Sequence, residues 1–569
     1  MAHLVVVALP LWGHTRPLCV FIAKLQQQSR CLVTFFVAEL LLAKVTAEIA
    51  RQYAPADAAL LASIRSALPL PSPSPSHSAP KPKPLLTRSA RIISILDAQR
   101  DNGDLPKVIA AYAPAYAAPY AALVAQQPLT CTTGRVHAAA PPPSAVILDF
   151  LAPAQLQATR AVTGSAVPVF AWVTGSAPVI IRYYCPEDVG GLGDVAGRAR
   201  AAAAATGKEY ERMIEAEYGR CEGEVICIPG MPAMFDYECF PQDVSSTTCL
   251  RWRELMQSSC PSPSRSSTPW RASSSSEPHP PTPSPPRDAC SPVPARTLND
   301  SDGTIINTSE AYESVFIETL RGWLSGMGKA FFSVGPTTPA DFRASGDLDR
   351  TDDQGEIAAF LDGALEQYGK ESVIFISFGS TFWPKDEAFV EEILNVMIEK
   401  EFPFIFAYGS PAAKLPNIKS SPKGLLAKWV PQQYVLNHPA LGWFLTHCGQ
   451  GSTTEALASG IPMICYPFAS DQPFNAAYLS MTLDVAFELL QVRTGVPGTK
   501  PALRTLKAPQ STRAAVREEI AGVVDAARGA AGRRKRANAQ RVRGLLAGAW
   551  AAGALAAVDL QRFAEAYCS

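Results

Sequence analysis

Short, uninterrupted apolar runs, each followed by a helical segment, occur in two successive series along this chain. Such runs are typical of strands that are buried on both faces of a parallel sheet. The first series comprises His3–Leu9, Leu32–Val37, Ala145–Leu148 and Val167–Val173. The second series comprises Val373–Phe378, Phe404–Tyr408, Gly442–Thr446 and Pro462–Cys465. The alternation predicts an α/β protein with two doubly wound, Rossmann-like domains, in which ligands bind beyond the carboxyl ends of the strands.

Length, composition and charge agree with a globular protein of more than one domain. The chain has 569 residues, of which 47% are hydrophobic and 18% are charged, and this balance excludes a fibrous or globally disordered chain. Lys plus Arg and Asp plus Glu number 51 each, so the chain has no overall attraction for nucleic acid or anionic lipid. We expect no nucleic-acid partner, and we expect the protein to be a monomer.

The cysteine pattern and the start of the chain predict a cytoplasmic location. The 13 cysteines form no CxxC pair and no metal-ligand spacing, which favours a reducing compartment. The apolar start, Leu4–Pro10, has no basic segment before it, and we interpret it as a buried strand rather than a signal peptide. No apolar run approaches the ~20 residues that span a bilayer, so no transmembrane segment is expected.

Proline-rich tracts interrupt the alternation. Many of the 50 prolines lie between Pro69 and Pro84 or between Pro261 and Pro294. These tracts hold too little apolar surface to offset the entropy of ordering them. We interpret them as exposed insertions near residues 66–84 and 257–296. A ligand for an SH3-like partner and a translated intron or other gene-model error are the alternatives.

The stretch 429–472 holds the densest group of candidate ligand-binding residues. Its strand Gly442–Thr446 runs into the glycine-rich turn 447–451, and a helix predicted to open at Ser452 follows. Glycines let the backbone approach a ligand closely, while the free N–H groups and the positive dipole end of a helix favour an anion. The arrangement predicts a phosphate or pyrophosphate at residues 451–453.

The same stretch resembles the nucleotide-sugar signature of family 1 UDP-glycosyltransferases, of the plant secondary-product and fungal type, over all of its 44 residues. The resemblance implies the GT-B architecture, in which two Rossmann-like domains face each other across a cleft. It implies that Trp429 stacks on uracil and that Glu455 holds the ribose. It also implies that Asp471 and Gln472 bind the donor sugar. The other expected UDP-sugar contacts are Ser380, Gln432, His447, Gly449, Gly451 and Ser452.

Two positions depart from the family pattern. The family usually has Trp-Asn where this chain has Gln450-Gly451. The change removes one side-chain donor to the phosphates and one contact to the donor sugar. The final Gln472 is associated in the family with glucose donors, so glucose is the expected sugar.

His14 follows the first strand and Asp149 ends the strand Ala145–Leu148, so both are expected at the carboxyl end of the sheet. Taken alone, His14 is interpreted as a structural hydrogen bonder and Asp149 as a strand-end cap. The resemblance implies instead that His14 is the general base and that Asp149 orients it. A neutral imidazole can accept the proton of an attacking hydroxyl, while a carboxylate on the other ring nitrogen stabilises the imidazolium. Thr174 is expected near the donor sugar.

We therefore expect an inverting glycosyltransferase that moves a sugar from a UDP-sugar to a hydroxyl of a small lipophilic acceptor. Residues 1–332 would bind the acceptor, residues 333–555 would bind the UDP-sugar, and residues 556–569 would form a terminal helix packed back on the first domain. No cofactor and no metal are expected, because the two Asp-x-Asp motifs, which begin at Asp300 and Asp347, follow no predicted strand.

Three alternatives to this function are open. The chain could be a catalytically impaired UDP-sugar-binding relative, since Gln450-Gly451 departs from the family. It could be the product of a defective gene model, since the proline-rich tracts interrupt the fold. It could also be another enzyme on the same fold, such as an epimerase or a phosphorylase. The sequence does not identify the acceptor.

Overall fold

The computed structural model describes residues 1–53, 90–97, 105–243, 298, 300–338, 352–380, 382–410, 412–414, 417–418 and 421–569. The two proline-rich insertions predicted near residues 66–84 and 257–296 lie outside these ranges.

The strands of the first half of the chain form one large parallel sheet and two short antiparallel pairs. These strands are β1 (His3–Val7), β2 (Leu32–Ala38), β3 (Ala90–Leu96), β4 (Leu129–Thr130), β5 (Val136–His137), β6 (Ala145–Asp149), β7 (Val169–Val173), β8 (Val225–Ile226), β9 (Met234–Phe235), β10 (Gly303–Ile306) and β11 (Ala330–Ser333). Within the described residues the large sheet, here called the N-terminal sheet, has the order β11-β10-β7-β6-β1-β2-β3. Every neighbouring pair in it is parallel.

Helices cover both faces of the N-terminal sheet. They are α1 (Trp12–Gln28), α2 (Glu39–Arg51), α3 (Leu105–Val124), α4 (Pro153–Thr163), α5 (Ala177–Tyr184), α6 (Val195–Thr206), α7 (Tyr210–Tyr218) and α8 (Glu310–Gly326). Successive residues of a strand point to opposite faces. Accordingly, Val6 packs in a cluster with Phe21 of α1, whereas Val5 packs in another cluster with Tyr116 of α3. This two-sided burial is the physical reason for the uninterrupted apolar run at the start of the chain.

The second half of the chain repeats the pattern. Its strands are β12 (Val373–Ser377), β13 (Phe404–Ala407), β14 (Gly424–Ala427), β15 (Leu441–Thr446), β16 (Met463–Cys465) and β17 (Ala486–Glu488). In the described part of the chain they form one parallel sheet, the C-terminal sheet, in the order β14-β13-β12-β15-β16-β17. Its helices are α9 (Asp352–Tyr368), α10 (Glu387–Glu399), α11 (Gln432–Asn437), α12 (Gln450–Ser459), α13 (Gln472–Ala477), α14 (Gly495–Gly498), α15 (Arg513–Arg528) and α16 (Ala530–Ala547).

The prediction of two Rossmann-like domains is confirmed by these two parallel sheets. Both ends of every predicted strand agree with the observed ends to within two residues, as at Gly442–Thr446, which becomes Leu441–Thr446. The expected domain boundary after residue 332 lies one residue before the end of β11. Among the described residues, no helix is both long enough and apolar enough to cross a membrane.

The last helix, α17 (Leu555–Tyr567), lies on the N-terminal sheet. The ring of Phe563 is fully buried, and its centroid lies 5.3 Å from those of Phe170 and Phe332. On the same helix the buried carboxylate of Asp559 accepts a hydrogen bond of 2.9 Å from the N–H of Ser333, the last residue of β11. The chain therefore returns to its first half after the C-terminal sheet is complete.

Replacing Phe563 by Ala tests how much this return contributes to stability. The buried ring contacts aromatic side chains of the N-terminal sheet, so we expect Phe563→Ala to lower the free energy of unfolding by about 3–5 kcal/mol. Val558→Ala on the same helix, where the side chain is 38% exposed, should change it by less than about 1 kcal/mol. Denaturant unfolding followed by tryptophan fluorescence measures both. Equal effects from the two variants would contradict this account of α17.

Candidate active site

His14 and Asp149 come together at the carboxyl end of the N-terminal sheet. The neighbouring parallel strands β1 and β6 pair Val7 with Leu148, so the residues that follow these positions lie at the same edge. Nδ1 of His14, in the first turn of α1, lies 2.8 Å from Oδ2 of Asp149. The Asp149 side chain is fully buried, and its Oδ1 accepts a hydrogen bond of 3.0 Å from the N–H of Leu151. The carboxylate is thus fixed on both oxygens.

The surroundings of His14 favour the protonated imidazole. Burial opposes the positive charge, but the charge and hydrogen bond of Asp149, together with the charge of Asp471, more than offset it and raise the pKa of His14. Because Nδ1 faces the carboxylate, the neutral ring carries its proton there and leaves the Nε2 lone pair for another partner. Oγ1 of Thr174 lies 3.2 Å from the same Nδ1. Thr174, expected near the donor sugar, therefore contacts His14.

Asp471 faces this pair from the second half of the chain. It lies immediately before α13, and burial raises the pKa of its carboxyl to about 6. Its Oδ2 accepts a hydrogen bond of 2.9 Å from the N–H of Gln450. Charged groups from both Rossmann-like domains therefore meet at one place, and the cleft between the domains is the candidate active site.

The glycine-rich turn leads into α12 earlier than predicted. This helix begins at Gln450 rather than at Ser452, so the first-turn N–H groups, which have no acceptor within their own helix, belong to residues 450–452. The Asp471 carboxylate accepts a hydrogen bond from the first of these groups, the N–H of Gln450. The N–H of Thr453 donates to the carbonyl of Gly449 at 3.0 Å. The predicted anion contact at residues 451–453 therefore narrows to the N–H groups of residues 451 and 452.

His447, just after β15, is enclosed by two glycines. A Cβ on Gly379 would lie 2.8 Å from Cε1 of His447, and a Cβ on Gly449 would lie 2.6 Å from its Nε2. Any larger residue at either position would displace the ring. Burial lowers the pKa of His447 to about 4, against an opposing hydrogen bond with the backbone of Ser377, so the ring is neutral at neutral pH. Ser380, beside Gly379, is exposed.

Glu455 on α12 joins the two domains. Its Oε2 accepts a hydrogen bond of 2.7 Å from Nε2 of Gln432, which also lies 3.3 Å from Oγ of Ser452. Its Oε1 accepts one of 2.8 Å from Nη1 of Arg16. Arg16 belongs to α1, two residues after His14. The helix that carries the candidate base therefore also contacts the carboxylate expected to bind the ribose.

The remaining predicted residues differ in exposure. Trp429 is 53% exposed, which leaves its ring accessible to a stacking partner. Gln472 is buried, and its Oε1 accepts hydrogen bonds from the N–H groups of residues 468 and 469.

In the first Asp-x-Asp motif, Asp302 accepts a hydrogen bond of 2.7 Å from Arg160; the second motif lies outside the described residues. Where the structure describes the chain, no group of three or more His, Cys, Asp or Glu could hold a metal ion.

Several polar residues of the cleft were missed from the sequence. Their contacts join segments that are far apart in the chain. All of these residues lie outside the stretch 429–472, and Asn475, just after it, was not interpreted as a site residue. The missed residues are Arg16, Tyr312, Glu313 and Asn475. A weak signal existed for Glu313, since it follows the polar segment Asn307-Thr308-Ser309 immediately after β10. That segment matches a glycosylation pattern, but Asn307 is buried and its Oδ1 accepts hydrogen bonds from Thr337.

Comparison with known proteins agrees with this geometry. Residues 342–499 match the family model described as UDP-glucoronosyl and UDP-glucosyl transferase. This part of the chain is therefore similar to the UDP-glycosyltransferases. The matched residues contain the whole of the stretch 429–472, including the glycine-rich turn.

Curated relatives include fungal and plant proteins. The chain is 28% identical to UDP-glycosyltransferase eriJ of Hericium erinaceus over 315 aligned residues. This aligned region covers 53% of this chain and 54% of that protein. It is 30% identical to mogroside I-A1 synthase of Siraitia grosvenorii over 206 aligned residues, and this aligned region covers 32% of this chain and 37% of that protein. The chain thus spans about half or less of the length of these relatives.

Solved structures confirm the GT-B fold. A UGT transferase from Siraitia grosvenorii in complex with UDP matches with a TM-score of 0.60 and 16% identity, over the whole of both chains. UGT2 of Phytolacca americana, complexed with UDP-2fluoro-glucose and pterostilbene, matches with a TM-score of 0.59 and 17% identity, also over the whole of both chains.

The contact between His14 and Asp149 predicts the direction of a pKa change. In Asp149→Asn the charge that favours imidazolium is lost while the burial that opposes it remains, so the pKa of His14 should fall below its value in the unaltered protein. NMR titration of the imidazole signals measures this, with His438, which pairs with Asp362, as an internal control. An unchanged His14 titration, or an equal change at His438, would show that Asp149 does not set the protonation of His14.

Proposed function

We propose that this protein is an inverting glycosyltransferase that moves a sugar from a UDP-sugar to a hydroxyl group of a small lipophilic acceptor. The observation that carries the proposal is that His14, paired with Asp149, interacts through charge with Asp471, which is itself hydrogen-bonded to the start of α12. An acid–base pair on one side of a cleft and an anion-favouring helix start on the other are the two requirements of this reaction.

The transfer follows from the orientation of His14. The acceptor hydroxyl gives its proton to Nε2 as its oxygen attacks the anomeric carbon of the donor sugar. The bond from that carbon to the diphosphate oxygen breaks, and its electron pair leaves with UDP. Attack from the side opposite the leaving group inverts the anomeric configuration. The Asp149 carboxylate, 2.8 Å from Nδ1, stabilises the imidazolium that forms.

The donor would lie along the start of α12. The N–H groups of Gly451 and Ser452 and the positive end of the helix dipole favour the diphosphate. Trp429, with 53% of its surface exposed, would stack on the uracil, and Glu455 would accept from the ribose hydroxyls. Asp471 would accept from a hydroxyl of the sugar. The further proposed donor contacts are Ser380, Gln432, His447, Gly449 and Gln472.

The relatives support UDP-glucose as the first donor to test. One solved relative is described as complexed with UDP-2fluoro-glucose and pterostilbene, and another as a UDP-glucosyltransferase capable of glucosylating indoxyl. Small aromatic hydroxyl compounds are therefore the first acceptors to examine.

The cysteines in the described ranges are all free, which supports a cytoplasmic location, and we keep the proposal of a monomer.

Release of UDP by the purified full chain tests the proposal. Incubated with UDP-glucose and a panel of phenols, flavonoids and sterols, the protein should release UDP and form a glycoside with inverted anomeric configuration. His14→Ala should lower kcat by about 10²–10⁴-fold, because the general base is lost, while UDP binding measured by calorimetry stays the same. His438→Ala, which removes a histidine that pairs with Asp362 and not with Asp149, is the matched control.

Three outcomes would contradict the proposal. UDP binding without release from any donor and acceptor would favour a binding relative that has lost turnover. Release that is equal in the unaltered protein and in His14→Ala would show that His14 is not the base. A protein without cooperative thermal melting would favour a defective gene model instead.

The proposed chemistry predicts activity in the presence of a chelator. The charge of the leaving diphosphate is assigned to the first-turn N–H groups and dipole of α12 and to the neutral His447. UDP release should therefore change by less than about twofold in excess EDTA. Loss of activity in EDTA that added Mg²⁺ or Mn²⁺ restores would show that a divalent cation takes part.

A further inference from the structure

The start of α8 contacts the helices that carry the candidate donor site. The hydroxyl of Tyr312 lies 3.2 Å from Oγ1 of Thr454 on α12, and the hydroxyl of Tyr478, just after α13, donates to the carbonyl of Tyr312. The backbone of α8 departs from helical angles at Glu313, with φ −121° and ψ 26°. This kink directs a residue of the first Rossmann-like domain toward the second.

The Glu313 side chain is enclosed by polar partners from three segments. It is 2% exposed, and its Oε2 accepts a hydrogen bond from the hydroxyl of Thr308. The N–H of Ala177, at the start of α5, and the side-chain amide of Gln450 also donate to its carboxyl group. The first two partners belong to the first domain, whereas Gln450 belongs to the second.

Gln450 connects Glu313 with Asp471. Its Nε2 lies 3.0 Å from the hydroxyl of Tyr312, and its backbone N–H donates to Oδ2 of Asp471 at 2.9 Å. Nδ2 of Asn475 lies 3.5 Å from Oε1 of Gln450 and 3.4 Å from Oδ2 of Asp471. The Gln450 amide therefore has Tyr312 as a hydrogen-bond partner and Glu313 as a second polar neighbour. A continuous hydrogen-bonded path leads from Glu313 to the carboxylate that faces His14.

We propose that Glu313 is a positioning residue for the donor sugar, which holds the side chain of Gln450 and thereby the carboxylate of Asp471 in place. The inference rests on the proposed function, since it assumes that Asp471 binds the sugar of a UDP-sugar. It assigns a role to the position where the family usually has Trp: the buried Gln450 is a structural connection and not a sugar contact, because its side chain is 4% exposed.

The charges around Glu313 make this role dependent on pH. The titratable groups that act on it are Asp471, just before α13, Tyr478, just after α13, and its neighbour Tyr312. Burial raises the pKa of Glu313 to about 8, with a further increase from the Asp471 charge and a partial decrease from its hydrogen bonds. Glu313 is therefore neutral at neutral pH. Above about pH 8 its ionisation would place a second negative charge close to Asp471, which disturbs the position of both groups.

The direction of the stability change follows from the same shift. A carboxyl whose pKa is higher in the folded protein binds its proton more tightly there, so the folded state loses stability as the pH rises from the ordinary value of 4.5 to about 8. Glu313→Gln removes the ionisable carboxyl group and keeps the size and shape of the side chain. The variant should therefore melt at a higher temperature than the unaltered protein at alkaline pH, and this difference should shrink in acid.

The decisive experiment compares the Kd for UDP-glucose with the Kd for UDP at about pH 7 and about pH 9, below and above the titration of Glu313. In the unaltered protein the Kd for UDP-glucose divided by the Kd for UDP should rise by about threefold or more at the higher pH. The reason is that only UDP-glucose carries the sugar that Asp471 holds. Glu313→Gln should abolish this rise. Glu313→Ala should raise the ratio by about tenfold at both pH values. The Kd for UDP alone should change by less than about twofold in every variant.

Glu310→Gln is the matched control, since Glu310 lies in the same turn of α8 and is exposed; it should behave as the unaltered protein. A rise in the ratio that persists in Glu313→Gln, or a loss of UDP and UDP-glucose affinity by the same factor in Glu313→Ala, would overturn the proposal. Binding is measured without turnover, so these outcomes are separate from a failure of the proposed function, which is absence of UDP release by the unaltered protein.

Discussion

The hydrogen bond between His14 and Asp149 requires two adjacent parallel strands to end in register. β1 and β6 meet this requirement because they are fully buried neighbours whose parallel pairing sets Val7 beside Leu148. The 2.8 Å contact is therefore held by the core of the whole N-terminal sheet. The second domain presents Asp471 to the same edge, so the chemistry of the cleft depends on the packing of both sheets.

Much of the fold could be predicted from the sequence, because strands buried on both faces leave an uninterrupted apolar signal. Helix starts were less predictable: α12 begins at Gln450 behind Gly449, with no side-chain cap to mark the position. The stretch 429–472 revealed most of the candidate site, since its residues are close in sequence. Arg16 and Glu313 could not be found in this way, because their partners lie 439 residues away for Arg16 and across the domain interface for Glu313.

The departure at Gln450-Gly451 has a structural explanation. Gln450 is turned into the protein, where its amide is bound by Tyr312, Glu313 and Asn475, so the position contributes to the domain interface and not to the surface of the cleft. Gly451 is exposed, and nothing lies within 4 Å of where its Cβ would be. A small residue there leaves the backbone N–H open to a large anion. At this pair of positions the chain therefore has one side chain that supports the domain interface and one glycine whose surroundings are open.

Because Arg16 and His14 lie on one helix, the ion pair between Arg16 and Glu455 connects the proposed ribose ligand with the helix of the proposed base. Its groups are only 21% and 13% exposed, so dissolved salt screens them less than a surface pair. A ribose that binds Glu455 must share this carboxylate with the guanidinium or displace it. Either event would change the contacts of Arg16, which lies in the same first turns of α1 as His14.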